Sequence, residues 1–313
     1  MATKQESQYW MESEGERKRL ASNHFIIKDA MGGKLVRAPV DFSRPVKILD
    51  SGTADGTWLL DLASSLPPLS TGANEFVGTD LNPAPFPQST PPNIAFTVQD
   101  IKKPWPKSQH DQFDLVHQRL TILGAGPNPS ASISYLYSTV KPGGWIQISE
   151  GTMDFPPDIV NEERTPAYSD MLRLMRSVAG VVGAEWHVGR LLKGLLEEAG
   201  FTDIGEENVM LNMGRTNKDE KLAREGAESC GVAVQGLSKF ATSKHLASLH
   251  PLLTELGLAL GYDFADKFHP DFPPDKQLLP TERYETLSAD LEKELMEKGA
   301  VYPLKVVWGR KPE

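Results

Sequence analysis

Val46-Lys47-Ile48-Leu49-Asp50-Ser51-Gly52-Thr53-Ala54-Asp55-Gly56-Thr57-Trp58-Leu59-Leu60-Asp61-Leu62-Ala63 is the stretch whose reading decides the fold. A short apolar run ends in Asp50, small residues follow, and an apolar-periodic segment takes over at Trp58. That order predicts strand, tight turn and helix, the first unit of a doubly wound α/β sheet. Gly52 and Gly56 let the backbone turn sharply and let a ligand approach the main chain where a Cβ would intrude. The start of the helix aims free N–H groups into the same crevice.

The acids around this turn narrow the ligand. In a dinucleotide site the turn cradles a pyrophosphate, which a neighbouring carboxylate repels. Asp50 and Asp55 bracket the turn here. A cationic or zwitterionic head fits better, and S-adenosylmethionine, with its sulfonium and α-amino group, is the common ligand of that kind. Further out, residues 75–82 form a second short apolar strand that ends at Asp80, where a carboxylate accepts hydrogen bonds from a ribose diol. Residues 94–101 repeat the plan with Asp100 at the tip, and residues 113–120 give a fourth strand running into His117, Gln118 and Arg119. After a Pro142-Gly143-Gly144 turn, a fifth strand ends in Glu150. A series of acids at strand ends, in sequence order, is a pattern that one glycine turn is not.

The set Ile48-Leu49-Asp50-x-Gly52-x-Ala54-x-Gly56, Gly78-Thr79-Asp80, Gln99-Asp100, Phe113-Asp114-Leu115-Val116 and Lys141-Pro142-Gly143-Gly144 resembles the ordered motifs of class I S-adenosylmethionine-dependent methyltransferases. More narrowly, His117-Gln118-Arg119, Gly143-Gly144-Trp145 and Val307-Trp308-Gly309-Arg310-Lys311-Pro312 resemble the fungal LaeA-like group, which includes N- and O-methyltransferases of secondary-metabolite clusters. The likeness spans most of the chain and is specific for cofactor class, less so for substrate. Ala54 stands where the family pattern has its middle glycine.

The resemblance implies an α/β fold, a Rossmann-like class I methyltransferase sheet with an N-terminal helical lid and a C-terminal helical insertion, and S-adenosylmethionine as cofactor. It implies main-chain contacts to the methionine portion from Gly52, Ala54 and Gly56, with Asp50 ordering that turn. Asp80, followed by Leu81, would bind the ribose, and Asp100 and Ile101 the adenine. His117 and Arg119 would stand by the methyl group. From chemistry alone, Arg19 is a partner for the methionine carboxylate. A hydroxyl acceptor needs a base, and His117 or His187 qualifies, with Glu150 the weaker candidate.

The flanks divide into residues 1–40 as lid, 41–207 with 299–313 as the cofactor-binding domain, and 208–298 as a helical insertion on the substrate side, where class I folds place selectivity. The lid helix, residues 13–31, stops at Gly32-Gly33, with Tyr9, Trp10, Arg19 and His24 as lid residues. Trp105 between two prolines is expected as a buried anchor. The methionine-rich face of residues 166–182 is expected in the core. Residues 183–200 read as a turn and then an amphipathic helix ended by Gly200, with Trp186 and His187 before the helix, where they would reach the acceptor, and a sixth strand follows. Residues 218–260 and 281–298 read as helical, with a loop over 269–280. The last strand, 301–308, is expected antiparallel at the sheet edge.

The chain has 313 residues, 24% charged and 39% hydrophobic, enough for one large core or two. A net charge of -9 argues against a nucleic-acid groove. The single cysteine, Cys230, excludes an intramolecular disulfide, and no metal-ligand spacing stands out. No apolar run reaches bilayer length and the N-terminus lacks a signal-type core, so no membrane partner is expected and the cytoplasm, or the nucleus, is the expected compartment. The expected function is methyl transfer to an N or O acceptor on a small molecule of secondary metabolism. Two other readings go with the same residues: a LaeA-like regulator acting through a protein partner, or an enzyme of this fold catalysing a rearrangement or cyclisation. The sequence leaves a homodimer open.

Overall fold

The computed structural model describes residues 14–70, 72–156, 159–181, 183–242 and 279–313. Seven strands, β1 (Lys47–Ser51), β2 (Glu75–Asp80), β3 (Ile94–Val98), β4 (Phe113–Arg119), β5 (Val140–Gly151), β6 (Thr202–Met213) and β7 (Ala300–Arg310), form one sheet in the order β3-β2-β1-β4-β5-β7-β6. β1 to β5 are parallel, and the inner strands β1, β4 and β5 carry the near-continuous apolar runs of such a sheet: Ile48, Leu49, Leu115, Val116 and Ile146 are all fully buried between two helical layers. The chain order reverses between β1 and β4, the crevice where open α/β sheets bind ligands.

One expectation is corrected. β7 is antiparallel, but it lies between β5 and β6, and β6 takes the edge. The reason is burial on both faces: the neighbours Val306 and Val307, with Leu304, are all fully buried, which suits an interior strand. In β6, Thr202, Asp203, Glu206 and Asn208 are exposed, which suits an edge.

Seven helices are described: α1 (Glu14–Ala30), α2 (Thr57–Ser65), α3 (Pro129–Thr139), α4 (Pro166–Val181), α5 (Val188–Ala199), α6 (Glu220–Thr242) and α7 (Thr281–Lys298). Trp58, Leu59 and Leu62 of α2 join Leu35 and Ala38 on one sheet face, over Ile48 and Leu115. Ile133 and Leu136 of α3, with Val188, Leu192 and Leu196 of α5, cover the other face over Leu49, Val116, Ile146 and Ile148. Trp105 is buried in this second cluster, the anchor expected. A third cluster unites α1, α4, α6 and α7 with β6 and β7, and Met171, Leu172 and Leu174 belong to it, as expected of core.

The lid helix ends where the sequence predicts, with Gly32 and Gly33 both left-handed. The boundary expected after residue 207 falls inside β6. Tyr9, Trp10 and residues 243–278, which hold the rest of the expected insertion and most of its loop, lie outside the described residues.

Candidate active site

β1 delivers Asp50 to the crevice, opposite His117 of β4. Asp50 Oδ1 is 2.7 Å from His117 Nδ1, and Oδ2 accepts a hydrogen bond of 2.7 Å from Thr53 Oγ1. The His117 ring stacks on Trp58, centroids 3.6 Å apart and planes within 3°. Burial lowers the His117 pKa against the pull of Asp50. The neutral ring therefore donates its Nδ1–H to the carboxylate, and the pair braces the turn from below.

The turn itself runs left-handed at Gly52, Ala54 and Gly56, with φ of 75, 51 and 77°. At Gly52 a Cβ would stand 2.5 Å from the Thr121 side chain, and at Gly56 2.5 Å from the Phe96 ring. Ala54 carries its methyl group in this region at a cost of about 1 kcal/mol. Its N–H donates to Asp80 Oδ2 at 3.0 Å, while Asp80 Oδ1 accepts from the Asn82 N–H at 3.0 Å. Asp80 thus ties the turn to the exit of β2, and burial raises its pKa.

Where the turn's donors point decides which ligand fits. The N–H groups of Gly52 and Thr53 both donate to Thr79 O, at 2.7 and 2.8 Å. That of Gly56 donates to Thr53 O at 2.9 Å, and that of Thr57 at the start of α2 to Asp55 Oδ1 at 3.0 Å. The donors a diphosphate would need are turned inward, and the carboxylates of Asp50, Asp55 and Asp80 surround the loop. Such a crevice suits a cationic head and does not suit a diphosphate. The sulfonium and amino groups of S-adenosylmethionine fit it.

The remaining predicted residues fall into separate groups. Asp100 accepts from the Lys102 N–H at 2.9 Å, Ile101 packs at the edge of the second cluster, and Leu81 is exposed. Glu150, at the end of β5, accepts the Thr121 and Ile122 N–H groups on Oε1 at 2.7 and 2.8 Å, and burial pushes its pKa up to about 7. His187 precedes α5, with Nδ1 3.3 Å from Thr152 O. His187 and Glu150 therefore share the end of β5. His117 does not join them: it aligns with Asp50 and Gln147 on one sheet face, whereas Glu150 follows Ile148 on the other. Arg19 is paired with Glu16, through Nε at 2.8 Å and Nη2 at 2.6 Å.

Several participants were not predicted. Trp58, Thr121 and Asp61 each fasten a predicted residue, Lys28 in turn holds Asp61, and His24 with Lys28 could have been read as an i,i+4 pair aimed at one carboxylate. Asn82 Nδ2, Gln118 Nε2 and Glu150 Oε2 are buried with no hydrogen-bond partner among the described residues, at the C-terminal ends of β2, β4 and β5. Orphaned polar atoms along one sheet edge mark that edge as functional. At the opposite edge an open cleft of about 570 Å³ is lined by Arg44, Asp114 and Lys141, whose charges pair with one another.

Comparison with known proteins agrees with this geometry. A family described as "Methyltransferase domain" matches residues 23–206. The N-methyltransferase sirN of Leptosphaeria maculans is 34% identical over 312 residues, 98% of this chain and 96% of that protein. The N-methyltransferase gliN of Aspergillus fumigatus is 32% identical over 303 residues, covering 95% and 94% of the two chains. The N-methyltransferase tcpN of Claviceps purpurea is 34% identical over 226 residues, 69% of this chain and 76% of that one. Among the described residues, no helix is long and apolar enough to cross a membrane.

Proposed function

The chain belongs to the methyltransferase-domain family and is an S-adenosylmethionine-dependent methyltransferase, and on that premise we propose that it methylates a nitrogen of a small secondary metabolite. The observation that carries this reading is the turn at Gly52–Gly56, its N–H donors directed inward and its rim lined by carboxylates. The names of the relatives support nitrogen, and so does the chemistry of the site. An amine attacks as the neutral base and releases its proton after transfer, whereas a hydroxyl needs a base during transfer. His117 is engaged by Asp50 and covered by Trp58, so its part is to hold Asp50 and the turn in place.

Bound S-adenosylmethionine supplies a methyl group on a positively charged sulfur, open to in-line displacement. Asp50 and Asp55 give the crevice its negative field, Asp80 receives the ribose hydroxyls, and Asp100 with Ile101 receives the adenine. His187, whose Nδ1–H donates to Thr152 O, turns Nε2 to the proton of the methylated acceptor, with Glu150 at the same end of β5. The residues between β6 and β7 select the acceptor.

Titration calorimetry with S-adenosylmethionine tests the site first: the wild type binds, and Asp80→Ala loses binding. Trideuteromethyl-labelled cofactor then gives an acceptor whose added mass and NMR couplings place the methyl on nitrogen. A label on oxygen or carbon refutes the nitrogen assignment, and a wild type that does not bind refutes the site.

A further inference from the structure

Arg119 ends β4 one residue past the Ser51–Gln118 pair, beside the glycine turn, on the sheet face of Asp50 and His117. Asp50, Asp55 and Asp61 all act on its charge, yet among the described residues it forms no ion pair. A guanidinium carries five N–H donors. Among the described residues, the one hydrogen bond of the Arg119 guanidinium runs from Nη2 to His24 Nδ1, 3.2 Å away. Burial lowers its pKa to about 10, so it is charged at neutral pH. A partly buried cation with most of its donors unmet is the complement of an anionic ligand group.

Its aim is held from behind. His24 is completely buried, and burial next to Arg119 lowers its pKa to about 4. The neutral ring accepts from Arg119 on Nδ1 and donates Nε2–H to Asp61 Oδ2 at 2.7 Å. Lys28 Nζ closes the chain on both oxygens of Asp61, at 2.9 and 2.8 Å. Helices α1 and α2 thus orient one guanidinium. Arg19 has no such freedom, since its fork is engaged by Glu16.

We propose that Arg119, and not Arg19, receives the α-carboxylate of the cofactor's methionine portion, with His24 as its positioning residue. This rests on the cofactor reading above. The ligand's charges are then sorted: sulfonium and ammonium toward the surrounding aspartates, carboxylate toward the one guanidinium. The same fork would also suit a carboxylate on the acceptor, and the test separates the two sources.

Calorimetry compares S-adenosylhomocysteine with S-adenosyl-3-thiopropylamine, the same molecule without its carboxylate, on the wild type, Arg119→Gln and Arg119→Lys. The wild type is expected to prefer S-adenosylhomocysteine by about 10- to 100-fold, the range of a charge-assisted hydrogen-bonded pair. Arg119→Gln binds the two alike, the loss falling on S-adenosylhomocysteine alone, and Arg119→Lys, which keeps the charge but not the fork, falls between. Partial unfolding lowers both affinities by one factor, so the ratio is blind to it. His24→Phe lowers the preference, and His24→Gln, which can accept and donate in place of the ring, restores it. An Arg119→Gln protein that keeps the wild-type preference overturns the proposal, as does one that loses both ligands equally. A variant that keeps cofactor affinity but loses affinity for an acidic acceptor assigns the carboxylate to the acceptor and overturns it too. A wild type that binds neither ligand overturns the cofactor reading as well.

Discussion

Gly52 and Ala54 share a left-handed backbone two residues apart, yet a methyl group has opposite consequences at the two. At Gly52 it meets Thr121 at 2.5 Å, on a loop that Glu150 holds by two hydrogen bonds, so neither side can give. Gly52→Ala is expected to cost on the order of 3 kcal/mol in urea unfolding and to abolish cofactor binding. Ala54→Gly removes a strained Cβ but loosens the unfolded chain, and the two effects leave stability within about 1 kcal/mol of wild type. A larger loss from Ala54→Gly than from Gly52→Ala would contradict this assignment. The need for glycine at residues 52 and 56 was legible because the sign of φ is local. Thr121 was not, since only the folded sheet brings the exit of β4 over the turn. His24 and Arg119 were each noticed, but 95 residues separate them, and no spacing rule joins a lid helix to a strand end.

The parallel strands were legible because burial on both faces gives unbroken apolar runs. The place of β7 in the sheet was less so: strand order depends on pairing across the whole sheet, and only the adjacent Val306 and Val307 hinted at an interior position. Helix α5 shows how an element positions a site. A Cβ at Gly189 would lie 2.4 Å from Gly151 O and 2.9 Å from Glu150 O, so the first turn of α5 rests on the backbone of β5. Backbone cannot swing aside as a side chain can. Gly189→Ala is therefore expected to lift α5, destabilise by about 1 to 3 kcal/mol and displace His187, two residues upstream. The displacement is read as a fall in turnover at saturating cofactor, with cofactor affinity unchanged. Wild-type turnover in a stable Gly189→Ala protein would remove His187 from the chemistry.

Across the whole molecule, two buried groups titrate against each other. Glu150, raised from 4.5 to about 7, holds its proton in the folded protein where the unfolded chain has released it. Between those values the native state binds more protons, so this group makes stability fall as pH rises, with no further change above about 7. His24, lowered from 6.5 to about 4, has the opposite sign. There the unfolded chain binds more protons, so stability is full above 6.5 and declines as pH falls toward 4. Each effect is on the order of 3 kcal/mol, and over their shared range they offset one another. The lowered pKa of His117 adds to the histidine side, and the raised pKa of Asp80 adds to the Glu150 side. Urea midpoints measured between about pH 5 and pH 7 should therefore change little in the wild type, because the slopes oppose. Glu150→Gln keeps an oxygen for the Thr121 and Ile122 N–H groups but cannot titrate, and its stability should climb with pH. His24→Gln should show the reverse, its stability falling as pH rises while Glu150 gives up its proton. The opposition of the two variants is the sensitive quantity, since a general loss of packing would lower both curves without tilting them in opposite directions. A His24→Gln curve that does not fall as pH rises would mean that Glu150 is ionised in the folded protein, and that its Oε2 carries a charge rather than a proton.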